Sequence, residues 1–115
     1  MTLRLSKNAT NEIVLTLKER QTLVSPYWLF IFKHETDLET QYAVVLEDVS
    51  NYTLRYNEFS LTLPTDLDLT LDGQYRYFVY EQESSNNTDI SLTTSLCEQG
   101  IAEVIPTPTT EYFNE

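Results

Sequence analysis

A chain of 115 residues, 41% hydrophobic and 22% charged, is sized and composed for one globular domain with a core of its own. Eight Tyr, five Phe and one Trp argue against a disordered chain, and a net charge of −11 repels phosphate backbones, so nucleic acid is not expected as a partner unless the fold gathers one basic face. The single cysteine, Cys97, excludes an internal disulfide, and no apolar run approaches the roughly 20 residues of a membrane span. With no signal-peptide pattern in Met1–Ser6, the expectation is a protein made and folded in a reducing cytoplasm. The acidic balance serves solubility first; its sharper reading is a surface that pairs with a basic protein patch.

Thr2 to Leu5 reads as a short leading strand and Ser6 to Asn11 as a polar connection. Glu12 to Lys18 alternates, with Ile13, Leu15 and Leu17 inward and Val14, Thr16 and Lys18 outward. After a Ser25-Pro26 turn, Tyr27 to Phe32 has two apolar faces, Tyr27/Leu29/Ile31 and Trp28/Phe30/Phe32. His34 to Thr40 is polar and reads as a loop. Gln41 to Glu47 reads as a strand because Tyr-Ala-Val-Val-Leu is short and rich in β-formers. A helix is the alternative, since Leu38, Tyr42, Val45 and Val49 are helically spaced behind a Thr36-x-x-Glu39 capping box. Asp48 to Asn57 holds a turn or a short strand around Tyr52-Thr53-Leu54.

Phe59, Leu61 and Leu63 form another one-sided strand, ended by Pro64, and Leu67, Leu69 and Leu71 alternate with polar residues up to an Asp72-Gly73 turn. Gly73 to Gln82 is the most aromatic strand: Tyr75, Tyr77 and Val79 on one face, Arg76, Phe78 and Tyr80 on the other. Ser84 to Asp89 is a polar loop, and Ile90, Leu92, Thr94 and Leu96 alternate as a strand that Gly100 interrupts, by a bulge or a turn, before Ile101 to Ile105. From Pro106 the Pro-x-Pro text favours an extended arm, giving a single domain over 1–105 and an arm over 106–115.

About seven short strands with polar turns predict an all-β, immunoglobulin-like antiparallel β-sandwich. Asp72-Gly73-Gln74-Tyr75-Arg76-Tyr77 resembles the tyrosine corner of such domains, with Tyr77 where a cysteine would stand. Three departures accompany it: Asp72 is one place late, no partner cysteine exists, and the only Trp lies on the second main strand.

Catalytic material is scarce. His34 ends an apolar strand and reads as a packing or surface residue, and Cys97 reads as a buried inert thiol. Two glycines cannot build a phosphate-binding loop, and one His with one Cys cannot make a zinc site. Asp66, Asp68 and Asp72 are the best calcium candidates, but their spacing is not that of an EF-hand loop and suits a solvent-facing edge. The expectation is therefore no enzyme, no metal and no cofactor.

What remains is recognition. Tyr, Trp, Phe and Arg dominate interface cores. The candidate interface residues are Trp28, Phe30 and Phe32 on one strand, Arg76, Phe78 and Tyr80 on another, and Tyr112 and Phe113 on the arm. The alternative is that a loop, the N-terminal segment or the arm covers those second faces.

The order of Leu15-Thr16-Leu17-x-Glu19, Thr22-Leu23-x-x-Pro26-Tyr27-x-Leu29-Phe30-x-Phe32, Asp48-x-Ser50-x-Tyr52-x-x-Arg55-Tyr56-Asn57-x-Phe59, Leu71-x-Gly73-x-Tyr75-x-Tyr77-x-x-Tyr80-Glu81-Gln82 and Leu96-x-Glu98-x-Gly100 resembles small virion proteins of tailed bacteriophages that infect Bacteroidetes, crAss-like phages among them. The resemblance implies a structural protein of the virion, an auxiliary capsid protein that decorates or cements the phage head by binding the major capsid protein. It would be present in multiple copies and contact no membrane. Other virion roles, a head-fibre or tail/connector protein, fit the same resemblance. The different-class alternative is a carbohydrate- or receptor-binding β-sandwich that stacks aromatics on sugars.

Overall fold

The strand-forming stretches pair into two sheets. The computed structural model describes residues 2–7, 9–17, 22–23, 26–48, 57–63, 65–69 and 73–105. Its strands are β1 (Thr2–Ser6), β2 (Thr10–Leu15), β3 (Tyr27–His34), β4 (Asp37–Leu46), β5 (Asn57–Thr62), β6 (Gly73–Gln82) and β7 (Ser95–Ile105). One sheet has the order β1-β7-β6-β3-β4, and the other is the pair β2-β5. All neighbours are antiparallel except β1 and β7, which run parallel from Thr2↔Ile101 to Ser6↔Ile105. No helix among the described residues is long and apolar enough to cross a membrane.

This is the sandwich that the alternation predicted, with β2 and β5 as the B–E pair and β3, β6 and β7 as C, F and G. The tryptophan ceases to be a departure. Because β1 precedes β2, the strand that carries Trp28 is the third, the C position where immunoglobulin domains bury a tryptophan.

Alternation decides the small sheet. Asn11, Ile13 and Leu15 of β2 and Asn57, Phe59 and Leu61 of β5 point inward, while Glu12, Val14 and Ser60 are exposed. In β3, one of the two apolar faces must take the interior, and the structure reverses the expectation that Trp28, Phe30 and Phe32 face a partner. All three are buried in the core, at most 1% exposed. The antiparallel register is the cause: Phe30 pairs with Val79 and Phe32 with Tyr77, so they share the inward face of β6. There Trp28 and Phe30 meet the Phe59 ring edge-on, at centroid distances of 6.4 and 4.9 Å, and join the two sheets. Leu29 and Ile31 are also fully buried, on the opposite side of the sheet.

Three further expectations change, and one holds. The stretch His34–Thr40 is mostly strand: only Glu35 and Thr36 form the turn, and β4 begins at Asp37. Residues 38–41 of β4 stand opposite the single residue Lys33, a local bulge before regular pairing resumes at Phe32↔Tyr42. Gln41–Leu46 is strand, as preferred over a helix. Ile90–Leu92 is a 3₁₀ turn capped by Asp89, whose Oδ1 accepts from the Ser91 backbone at 2.9 Å, and Leu92 is exposed. Gly100 lies within β7, paired with Tyr77; the register instead shifts at Cys97, between Val79↔Glu98 and Tyr80↔Leu96. Residues 65–69 form no strand, although Leu69 is buried. The segment 49–56 and the arm 106–115 lie outside the described residues.

Phe30→Ala should lower unfolding stability by about 3–5 kcal/mol, as for other buried aromatics. Urea denaturation measures it, and a loss under about 1 kcal/mol would contradict the position of Phe30 between the sheets.

Candidate interaction face

Register assembles the outer face of the five-stranded sheet in rows. Val45, Leu29, Tyr80 and Leu96 lie side by side across β4, β3, β6 and β7, and Ala43, Ile31, Phe78 and Gln99 form the next row. A third row follows with Lys33, Arg76 and Ile101. Phe78, Tyr80, Val45 and Ile101 are half-buried, and Leu96 is 38% exposed. Fully buried Leu29 and Ile31 on β3, beside the central strand β6, make the floor of this face. Burial of the Tyr80 ring pushes its phenol pKa up.

The cations gather here. Arg4, Lys7, Lys33 and Arg76 are the Lys and Arg residues among the described positions, and Arg4, Lys33 and Arg76 project from this face. Arg76 Nε lies 3.3 Å from Glu35 Oε2, and Arg4 Nε lies 3.6 Å from Glu103 Oε1. Lys33 Nζ sits 5.7 Å from the centroid of the Phe78 ring, a cation–π contact. On the opposite side of the sandwich, β2 and β5 carry Glu12 and Glu58 outward.

Of the expected interface residues, the structure brings Arg76, Phe78 and Tyr80 together on this face and sends Trp28, Phe30 and Phe32 into the core. Tyr112 and Phe113 lie outside the described residues. Lys33 escaped the sequence reading. The parity of β3 could have found it, because Leu29, Ile31 and Lys33 share a face.

The titratable groups with chemical potential are held by the fold. Glu81 continues the inward series Tyr75, Tyr77, Val79 and is fully buried. Its Oε1 accepts from the backbone N–H groups of Thr22 and Leu23 at 2.9 and 3.0 Å. Its Oε2 accepts from the Thr22 hydroxyl at 2.9 Å and the Ser95 hydroxyl at 2.7 Å. Burial pushes the Glu81 carboxyl upward, and the hydrogen bonds from Ser95, Thr22 and Leu23 outweigh it, so its pKa falls below the ordinary value. The Cys97 Sγ donates to Glu81 Oε2 at 3.7 Å, and burial together with that carboxylate pushes the thiol up to about 11. The burial of this thiol is as the sequence predicted.

His34 is nearly buried, its Nδ1 accepting from the Thr36 N–H at 3.1 Å and its ring edge-on to Tyr75 at 4.8 Å. Gly73, at φ +109°, brings its backbone close beneath it: a Cβ there would lie 3.6 Å from His34 Nε2. Asp66 is spent on a turn, its Oδ2 accepting from Thr62 N–H at 2.8 Å; Asp72 lies outside the described residues.

No protein-family model matches the sequence, and no curated protein matches it. In structure, the chain is similar to a segment of a putative glycoside hydrolase from Bacteroides vulgatus, with a TM-score of 0.50 and 10% sequence identity. The likeness covers 93% of this chain and 17% of that one, so it is a likeness of fold to one part of a far longer protein.

Because the folded-state pKa of Glu81 lies below the unfolded one, its carboxylate contributes fully above the unfolded value and loses that contribution as pH falls through the folded one. Glu81→Gln should cost about 1–3 kcal/mol near neutral pH, where it leaves buried donors poorly matched. The deficit should shrink on acidification, read from urea midpoints of both proteins between about pH 7 and pH 3. A pH-independent deficit would show that the carboxylate charge is not what holds residues 22–23.

Proposed function

We propose that this protein is a non-enzymatic structural protein of a virion, an auxiliary capsid protein that decorates or cements a tailed-phage head. It binds the major capsid protein with the outer face of its five-stranded sheet. The observation that carries the reading is the alignment of Arg76, Phe78 and Tyr80 along one face of β6, one cation and two half-buried rings on the central strand of the sheet. The resemblance to virion proteins of crAss-like phages supplies the setting. Against an enzyme stand the groups themselves: the carboxylate of Glu81 is filled with donors, the Cys97 thiol is buried and protonated at neutral pH, and the His34 ring is packed on Tyr75.

A second reading, a carbohydrate- or receptor-binding sandwich, draws on the same observation, because Phe78 and Tyr80 are successive rings on one face with the apolar surface that sugars stack on. Phe78→Glu separates the readings. In the capsid reading, purified particles carry the wild-type protein in numbers comparable to the major capsid protein. Particles made with Phe78→Glu lack it, while circular dichroism of the isolated variant is unchanged. Absence of the wild-type protein from particles would overturn the reading; a few copies per particle would move it to a tail or fibre.

A further inference from the structure

Lys33 and Arg76 are register partners on adjacent strands, side by side on the outer face. Like charges directly opposite each other across a β-pair are destabilising. The chain has only 7 basic residues against 18 acidic ones, so the clash is not a shortage of acids to neutralise it. Glu35 reaches Arg76 from the turn, yet among the described residues no carboxylate lies within ion-pair distance of Lys33. The Lys33 ammonium instead leans over the Phe78 ring; the next residue of its own strand on this face is the apolar Ile31, and half-buried Ile101 lies beyond Arg76 in the same row. A cation pair left short of one negative charge, beside half-buried aromatic rings, has the chemistry of half an ion-pair interface.

We infer that Lys33 and Arg76 form a receptor for a carboxylate side chain of the partner, seated between the two cations at the edge of the Phe78–Tyr80 patch. This rests on the docking face proposed above and names its partner's chemistry: an acidic, aromatic-compatible protein surface rather than a basic one. One carboxylate meets a local cation pair. An extended polyanion would run out over the acidic remainder of the protein, which carries Glu12 and Glu58 on the opposite side. The polarity of the molecule follows: the cation-bearing sheet faces the partner, and the acidic β2–β5 sheet faces outward.

The test uses the full chain and a short glutamate-rich peptide, followed by NMR. The amide and side-chain signals of Lys33, Arg76 and Phe78 should shift together, and the shifts should weaken as salt is raised. Lys33→Glu should weaken peptide affinity by roughly fivefold, the ratio that one exposed ion pair corresponds to. Lys33→Arg should retain affinity, as should Glu12→Gln on the far sheet. Shifts that avoid Lys33 and Arg76, or a Lys33→Glu variant that binds like wild type, would overturn the inference. Inorganic phosphate that binds at these residues as tightly as the peptide would overturn the assignment to a carboxylate. Because the titration needs no particles, its failure is distinct from a failure to find the protein in virions.

Discussion

Two strands have to cover the middle of a sheet of five. That mismatch governs the molecule, since a pair as narrow as β2–β5 presents only four apolar side chains, Ile13, Leu15, Phe59 and Leu61, from its strands to the larger sheet. The space is closed from the other side by volume. Five large rings of β3 and β6, those of Trp28, Phe30, Phe32, Tyr75 and Tyr77, turn inward, and the rings of Trp28 and Phe30 meet Phe59 edge-on. Close packing of interiors rewards this: a Leu or Ile in the place of each ring would leave voids that two strands could not collapse to fill. With the rings spent on the interior, the smaller Leu29 and Ile31 line the other side of β3, and the outer face is left to Phe78, Tyr80, Lys33 and Arg76. The candidate docking surface is thus a consequence of how the core is filled.

The connections are held by a second device. The chain has two glycines, so its turns rely little on left-handed backbone, and buried polar side chains at strand ends take over. Asn11 accepts from the Ser6 N–H and donates to the carbonyls of Ser6, Ala9 and Leu61, stitching β1 to β2. Asn57 accepts from the Leu17 N–H and donates to Asp48, which ties the ends of β2 and β4 to the start of β5. Glu81 gathers residues 22–23 and the first residue of β7, while Gln82 binds the carbonyls of Ser84 and Asn87 and so shapes the next loop. Every buried side-chain nitrogen and oxygen among the described residues has a partner. Each of these residues trades a desolvation cost for a fixed turn, and each is costly to replace by a residue that leaves its backbone partners unmatched.

Strand existence was legible because it rests on period-2 patterning, which β2, β5 and β6 display with little noise. Parity in β3 was harder to read, because both faces are apolar and only Lys33 marks the Leu29/Ile31 face as the outer one; its neighbour's register decides, and register is a tertiary quantity. The same limit explains Ile90 to Leu96. The alternation there is real in the sequence, but Asp89 captures the Ser91 N–H and hydroxyl, and this local cap diverts the backbone into a 3₁₀ turn. For the site, half was readable. Arg76, Phe78 and Tyr80 follow from the parity of a strand whose inward face was recognised by its tyrosine at the start. Lys33 stayed hidden because the wrong face of β3 had been sent outward.

Glu81 and the pair Lys33–Arg76 show two opposite treatments of charge in one small fold. The carboxylate is buried and given more donors than it needs; the cations are set against each other in a sheet row with a single carboxylate, that of Glu35, in reach. A fold that can satisfy a buried acid so completely is not short of means to separate two surface cations, for which one step in strand parity would suffice. Local conflicts of this kind are expected where a surface is completed by something outside the chain, because there the partner, and not the fold, relieves them.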